Sequence, residues 1–232
     1  LATVSPVVKT TPAYVLHEVD DYAWFHGGRQ LVESYDFSEG NVKRYPLHFA
    51  GFSPSGAVVL DMCFTHNGSS SSSVAVAIDS TQLGTLVLSP VGRHSEASAT
   101  TRSYTINWKS LGPVIGQNTV VLTHKRDVGV SGRLDYWRFN YTKDIASTDL
   151  VYATSAGVQT YDIGMGDENI VVWRVTDVAS MTQIPYDKAT KTFTANGKHG
   201  EAFMIVNTRN TYPIPEVEGE VSNQDLYAEG AI

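Results

Sequence analysis

The sequence predicts an all-β fold, an antiparallel β-sandwich of jelly-roll-like type with short helical turns only. Three observations predict it. Apolar residues recur at every second position in nine short segments, turn residues separate most of them, and no stretch keeps a helical period over three turns. An α/β sheet would need a crossover helix between parallel strands, and none is legible.

The clearest strand is 58–66, where Val58, Leu60, Met62 and Phe64 are large and apolar while Asp61, Cys63 and Thr65 alternate with them. One face is therefore buried and the other mixed. Asn67-Gly68 leads into Ser69-Ser70-Ser71-Ser72-Ser73, a flexible hairpin connection, and Val74, Val76 and Ile78 resume the alternation. Further strands are expected at 85–88, 104–108, 119–124, 134–141, 150–154, 170–175 and 203–207. Turns are expected at 53–56, 129–132 and 195–197, and short helical turns at 20–25, 143–147 and 223–228. Strand number and spacing fit a sandwich. No internal repeat is visible. The expected organisation is one sandwich domain over 1–211, with a less regular part at 1–50. A linker follows at 212–232, opened by the bend Tyr212-Pro213-Ile214-Pro215.

At 232 residues, such a domain buries roughly 70% of its unfolded surface and needs no staple. With 42% hydrophobic and 18% charged residues the chain is globular. Lys+Arg 17 against Asp+Glu 24 gives a net charge of −7. Basic pairs such as Lys43-Arg44 and Lys125-Arg126 form no patch, so nucleic acid and anionic membranes are poor partners. The lone Cys63 excludes an internal disulfide framework, which fits a cytosolic protein and equally a large exported bacterial one. No apolar run approaches the about 18 residues of a membrane helix, so direct membrane insertion is not expected.

Cys63 and His66 are the obvious nucleophile and base candidates. Three residues apart on a strand they point to opposite faces, and only a bulge could bring them together. Cys63 is therefore read as a structural thiol. His17, His26, His48, His94, His124 and His199 show no zinc-binding spacing and are read as surface or rim residues. Asp162, Asp167 and Glu168, around Gly164 and Gly166, offer oxygens that suit calcium but lack the acid spacing of a calcium loop, so a solvated turn is the reading preferred. Asp20-Asp21, beside Tyr22 and Trp24, is read in the same way. Gly27-Gly28 and Gly164/Gly166 make no phosphate loop. Trp137, Phe139 and Tyr141 share one strand face, with Leu134 and Tyr136 on the other. An open face would give a platform for sugar rings; a closed one is core. No residue is assigned a catalytic, cofactor-binding or metal-binding role.

Three stretches together resemble the pre-catalytic region of gingipain-like cysteine peptidases, most closely the type IX secretion sortases of Bacteroidetes. Gly132-Arg133-Leu134-Asp135-Tyr136-Trp137-Arg138-Phe139-Asn140-Tyr141 is similar to a recurrent strand of that region. Ile170-Val171-Val172-Trp173-Arg174-Val175-Thr176-Asp177 resembles its Trp-Asp-Val-Thr-Asp element, after which a strand of the Phe193-Thr194 kind is expected. Val221-Ser222-Asn223-Gln224-Asp225-Leu226-Tyr227 resembles the segment that leads into the peptidase domain. The order and spacing match, and His17-Glu18-Val19-Asp20 and Gly28-Arg29 fit the early region loosely. The family's Asn-Leu-His stands here as Asp225-Leu226-Tyr227, which marks a divergent member.

The resemblance implies a non-catalytic sandwich that precedes an absent peptidase domain, in a protein exported to the cell surface or outer membrane of a Gram-negative bacterium. The chain begins at Leu1 without an initiator Met, as a piece of a longer protein would. In the parent, thiolate attack with a His base would process secreted proteins that carry C-terminal signal domains, through residues not present here. The expected partners are the adjoining peptidase domain and those signal domains, and no cofactor is expected. Two rival readings differ in class: a stand-alone carbohydrate-binding or adhesin sandwich, with exposed rings among Trp108, Trp137, Phe139 and Tyr141, and an autonomous hydrolase using Cys63.

Overall fold

The computed structural model describes residues 7–214 except 26–29, 55, 93–94, 96, 107–116 and 165–167, and also residues 216 and 219. Among these the chain is all-β. In order its strands are β1 (Val7–Val8), β2 (Thr10–Glu18), β3 (Val42–His48), β4 (Val58–His66), β5 (Ser72–Ile78), β6 (Thr81–Leu88), β7 (Ser98–Ile106) and β8 (Gln117–Lys125). They continue with β9 (Gly132–Asp144), β10 (Leu150–Tyr152), β11 (Gly157–Asp162), β12 (Ile170–Arg174), β13 (Thr182–Ile184), β14 (Tyr186–Asp187), β15 (Thr192–Gly197) and β16 (Ala202–Asn207).

The strands pair into four sheets that enclose two hydrophobic cores. In the first sandwich, sheet β2-β9-β4-β7 faces sheet β3-β8-β5-β6. The alternating residues Leu60, Met62 and Phe64 of β4 meet Val74, Val76 and Ile78 of β5 and Val120 and Leu122 of β8 in one buried cluster. In the second, sheet β1-β11-β15-β14 and sheet β10-β16-β12-β13 bury Tyr161, Phe193 and Phe203, with Val172 and Ile205 beside them. Tyr161 and Phe193 lie stacked, ring centroids 4.6 Å apart. The strand expected near Phe193-Thr194 is β15. All pairings are antiparallel except β1 with β11.

Every strand expected within the described residues is present, with ends that differ by a few residues. Strand 104–108 starts earlier, at Ser98. Several expectations are corrected. The connection after β4 is no hairpin, because β4 and β5 lie in different sheets and Ser72 and Ser73 already belong to β5. His124, expected at the surface or rim, is buried. Residues 195–197 belong to β15, where Ala195 is buried opposite Gln159, and the turn comes after them. Residues 20–25 form no helical turn; Tyr22 makes a β-bridge to Val32. Residues 143–147 begin as the last residues of β9. The expected helical turn at 223–228 lies outside the described residues.

The region before residue 50 holds β1, β2 and β3, which alternation alone did not reveal. Pro12 and Pro46 sit inside β2 and β3, and a proline ordinarily disqualifies a central strand. Both strands lie at a sheet edge, each with a single neighbour, so the missing N–H costs no ladder bond.

One irregularity shapes the first sandwich. Cys63 pairs with Tyr136, but the next residue, Phe64, pairs with Leu134. Asp135 is thus an extra residue in β9, a bulge that resets the strand's phase. Leu134, expected opposite Trp137, Phe139 and Tyr141, is instead buried with them in one core.

The two sandwiches join without a linker. Only Lys9 separates β1 of the second from β2 of the first, and the Ile145 N–H donates to the Lys9 carbonyl (3.0 Å). Buried Asp149, between β9 and β10, accepts from Lys143 Nζ (2.6 Å) and the Ala146 N–H (2.7 Å).

Candidate functional site

The two residues singled out as nucleophile and base are not brought together. The bulge lies on β9, so β4 keeps its alternation, and Cys63 and His66 leave it on opposite faces. The Cys63 thiol is buried beside Gln30, whose Nε2 lies 3.9 Å from Sγ. Burial first, and then the neighbouring Asp135 carboxylate, push its pKa up to about 12. Such a thiol forms almost no thiolate near neutrality. His66 is fully buried and hydrogen-bonded to Ser72 and Ser89.

The outer face of sheet β2-β9-β4-β7 carries the densest exposed chemistry. Strand register places Leu16, Arg138, Asp61 and Ser103 in one row across the four strands, and Glu18, Tyr136, Cys63 and Thr101 in the next. Leu16, Glu18, Asp61, Tyr136 and Arg138 line a surface pocket. Asp61 accepts from Ser103 Oγ (2.5 Å) and Asn140 Nδ2 (2.8 Å). Beside this pocket, Glu18, Asp20 and Asp135 bring carboxylate oxygens within 4.8 Å of one another. These oxygens attract cations, and the thiol beside them, Cys63 next to Asp135, is held protonated. Asp20 was noted in the sequence. Glu18 and Asp135 were missed, because only the bulge turns Asp135 toward them.

Asp21 and its neighbours form a clasp. Asp21 accepts from the N–H (2.6 Å) and Oγ (2.7 Å) of Ser34, which lower its pKa. The Arg133 guanidinium lies 3.7 Å over the Tyr22 ring and 5.5 Å from that of Trp24, and it pairs with Asp36 (3.1 Å) and the Ser34 carbonyl. Trp24 Nε1 donates to Thr65 Oγ1 (3.0 Å). Such a clasp seals one edge of the first sandwich.

A second set was not legible in the sequence. Glu33, buried, receives Lys43 and Tyr45 Oη (2.8 Å), with His17 Nε2 at 3.7 Å. Burial would raise its carboxyl pKa. His17, Lys43 and Tyr45 together outweigh burial and hold it at about 2. The same burial and the Glu33 charge push the Tyr45 phenol up. His17 stacks on Trp137, centroids 5.5 Å apart, so this ionised carboxylate is fastened to the core.

Of the acids considered for calcium, Asp162 is ion-paired with Lys9 (3.6 Å) and accepts the Gly164 N–H (2.8 Å). Glu168 faces Arg209 (3.7 Å), and Asp167 lies outside the described residues. Gly27-Gly28 and Gly166 lie outside them too. Trp137, Phe139 and Tyr141 are buried in the first core, so they form no open platform; Trp108 is outside the described residues.

Fold and sites together define a double β-sandwich module whose polar side chains are tied to one another. One solved structure shows the same fold. The crystal structure of dimeric latent PorU from Porphyromonas gingivalis aligns with a TM-score of 0.74 at 17% identity, over 99% of this chain and 23% of that one. The chain thus spans about a quarter of that protein. Two carbohydrate-binding structures align over smaller parts. CBM36 in complex with calcium and xylotriose gives a TM-score of 0.31 at 13% identity, over 42% of this chain and 71% of that one. The CBM36-1 domain of a multidomain xylanase from the hindgut metagenome of Trinervitermes trinervoides gives 0.34 at 14%, over 55% of this chain and 95% of that one. No family model and no curated protein matches the chain.

Proposed function

We propose that this chain is the non-catalytic N-terminal part of an exported gingipain-like cysteine peptidase of the secretion-sortase type, where it supports the peptidase domain and positions its substrates. The observation that carries this reading is the PorU alignment over 99% of the chain. The three sequence stretches that resemble the same family support it independently. The linker-free joint between the sandwiches gives what a peptidase needs when it accepts the tail of a folded protein: a stiff support with loops and strand edges. The proposed partners are the peptidase domain of the same chain and the C-terminal signal domains of secreted proteins. The proposed location is the outer surface of a Gram-negative cell.

The test is to read the coding frame beyond Ile232. The reading expects an apolar strand at once, then roughly 300 α/β residues with a His and later a Cys, an ordinary size for a second domain. A stop codon, or further sandwich repeats, would overturn it.

A further inference from the structure

At one end of the first sandwich three buried side chains form a hydrogen-bonded chain. His66 is 0% exposed, His124 1% and Ser72 6%. The Ser72 hydroxyl stands 3.0 Å from His66 Nδ1 and 3.0 Å from His124 Nε2, and His66 Nε2 lies 2.7 Å from the Ser89 carbonyl. These contacts fix every proton. A carbonyl only accepts, so His66 Nε2 carries its hydrogen and Nδ1 is bare. Ser72 must then donate to His66 Nδ1, and it accepts from His124 Nε2–H. His124 Nδ1 is left bare, buried and without a hydrogen-bond partner.

The chain has no room for a further proton. On His124 it would sit at Nδ1, which faces Gly132 and has no acceptor. If the hydrogens ran the other way along the chain, His124 would again carry one on Nδ1, where it has no acceptor. The groups facing His124 from its neighbours do not reverse this. Arg126 on the same side and His66 on β4 oppose a positive charge, and only Asp36 favours one. The Phe64 and Phe37 rings close the remaining sides, at 5.2 and 6.3 Å between centroids. Burial therefore dominates and lowers the His124 pKa to about 4.

Four connections are fastened over this chain. Asn67 and Ser131 exchange bonds (3.2 and 2.8 Å), the Val91 N–H donates to the Gly68 carbonyl (2.8 Å), and Ser70 donates to Asp127 (2.5 Å). Arg126 holds the Phe37 and Ser38 carbonyls (3.2 and 2.8 Å). We propose that the His66–Ser72–His124 chain is an acid-released latch, which ties β4, β5 and β8 together beneath these connections while His124 is neutral, and which parts when the His124 ring takes up a proton. Acid then frees this end of the first sandwich and leaves the second sandwich closed. The inference stands apart from the accessory-domain reading.

The experiment is amide hydrogen exchange on the whole chain at pH 7 and pH 5, corrected for intrinsic rates, together with imidazole nitrogen NMR at pH 7. The expected NMR result is an Nε2–H tautomer for both His66 and His124. Exchange across 64–75 and 120–132 should rise on the order of tenfold or more at pH 5, with β15 and β16 unchanged. His124→Phe should lose that pH response. Equal protection at both pH values, an Nδ1–H tautomer on either ring, or a response kept in full by the Phe variant would overturn the latch. If the variant does not fold, the wild-type exchange and tautomer results decide.

Discussion

A methyl group added to Gly132 would stand 2.5 Å from His124 Cε1 and 2.6 Å from its Nδ1, with Phe64 Cε1 at 2.8 Å. β9 can therefore start beside β8 only with hydrogen at this position. His124 is pinned by Ser72 and Phe64 by the core, so neither ring can retreat. Gly132→Ala is expected to cost roughly 1–3 kcal/mol by overpacking. A urea titration with an unchanged m-value checks this, and a neutral result would mean that the ring has somewhere to move.

Arg133 is predicted to resist conservative replacement. Its planar guanidinium both stacks on Tyr22 and pairs with the buried Asp36 carboxylate. Lysine keeps the charge but loses the stacking and the fork. Arg133→Lys should cost about 1–2 kcal/mol, and Arg133→Ala roughly 3 kcal/mol because Asp36 is left without its counter-charge. Thermal denaturation of the two variants should rank them in that order. Equal losses would reduce the site to packing alone.

Glu33 should set the low-pH limit of stability. Its carboxyl is held at about 2, below its ordinary 4.5. The stabilisation from its ionised form is therefore present above pH 4.5 and is lost as pH falls from 4.5 toward 2. His124, lowered from 6.5 to about 4, contributes a separate loss that begins at higher pH, from 6.5 downward. Urea midpoints measured from pH 7 to pH 2.5 should fall in both windows. Glu33→Gln should flatten only the lower one, and a variant that kept the full slope below pH 4.5 would show that another carboxylate governs it.

How much of this was legible is clearest along β4 and β9. The strict alternation from Val58 to Phe64 predicted β4 and its buried face, because apolar spacing on a half-buried strand reads directly as orientation. The bulge at Asp135 was not legible. A single extra residue has no composition of its own, and it reversed the expected side of Leu134 while leaving Trp137, Phe139 and Tyr141 together. β2 and β3 were hidden by Pro12 and Pro46, whose cost depends on whether a strand lies at an edge. The Glu33 and His66–Ser72–His124 sets join residues distant in sequence, and no spacing rule reports such contacts. Ser72, in particular, looked like part of a flexible linker, yet its hydroxyl is the centre of a buried network.

The joint between the sandwiches makes the last prediction. Asp149 is buried, and its two carboxylate oxygens separately hold Lys143 of the first sandwich and the Ala146 N–H of the connection, while its carbonyl accepts from Ile205 of the second (2.8 Å). One residue thus touches both bodies and the chain between them. Asp149→Ala leaves Lys143 without a partner beside a desolvated backbone, a loss of roughly 3 kcal/mol. The loss should fall on the joint before either core, since Tyr161, Phe193 and Phe203 on one side and Phe64, Trp137 and Phe139 on the other are untouched. Calorimetry should show one cooperative transition for the wild type and two for the variant. Asp149→Asn, which keeps an acceptor for the Ala146 N–H, should lie between them. Two transitions already present in the wild type would show that the sandwiches fold and move independently, and a stiff support for a neighbouring domain would then have to come from elsewhere.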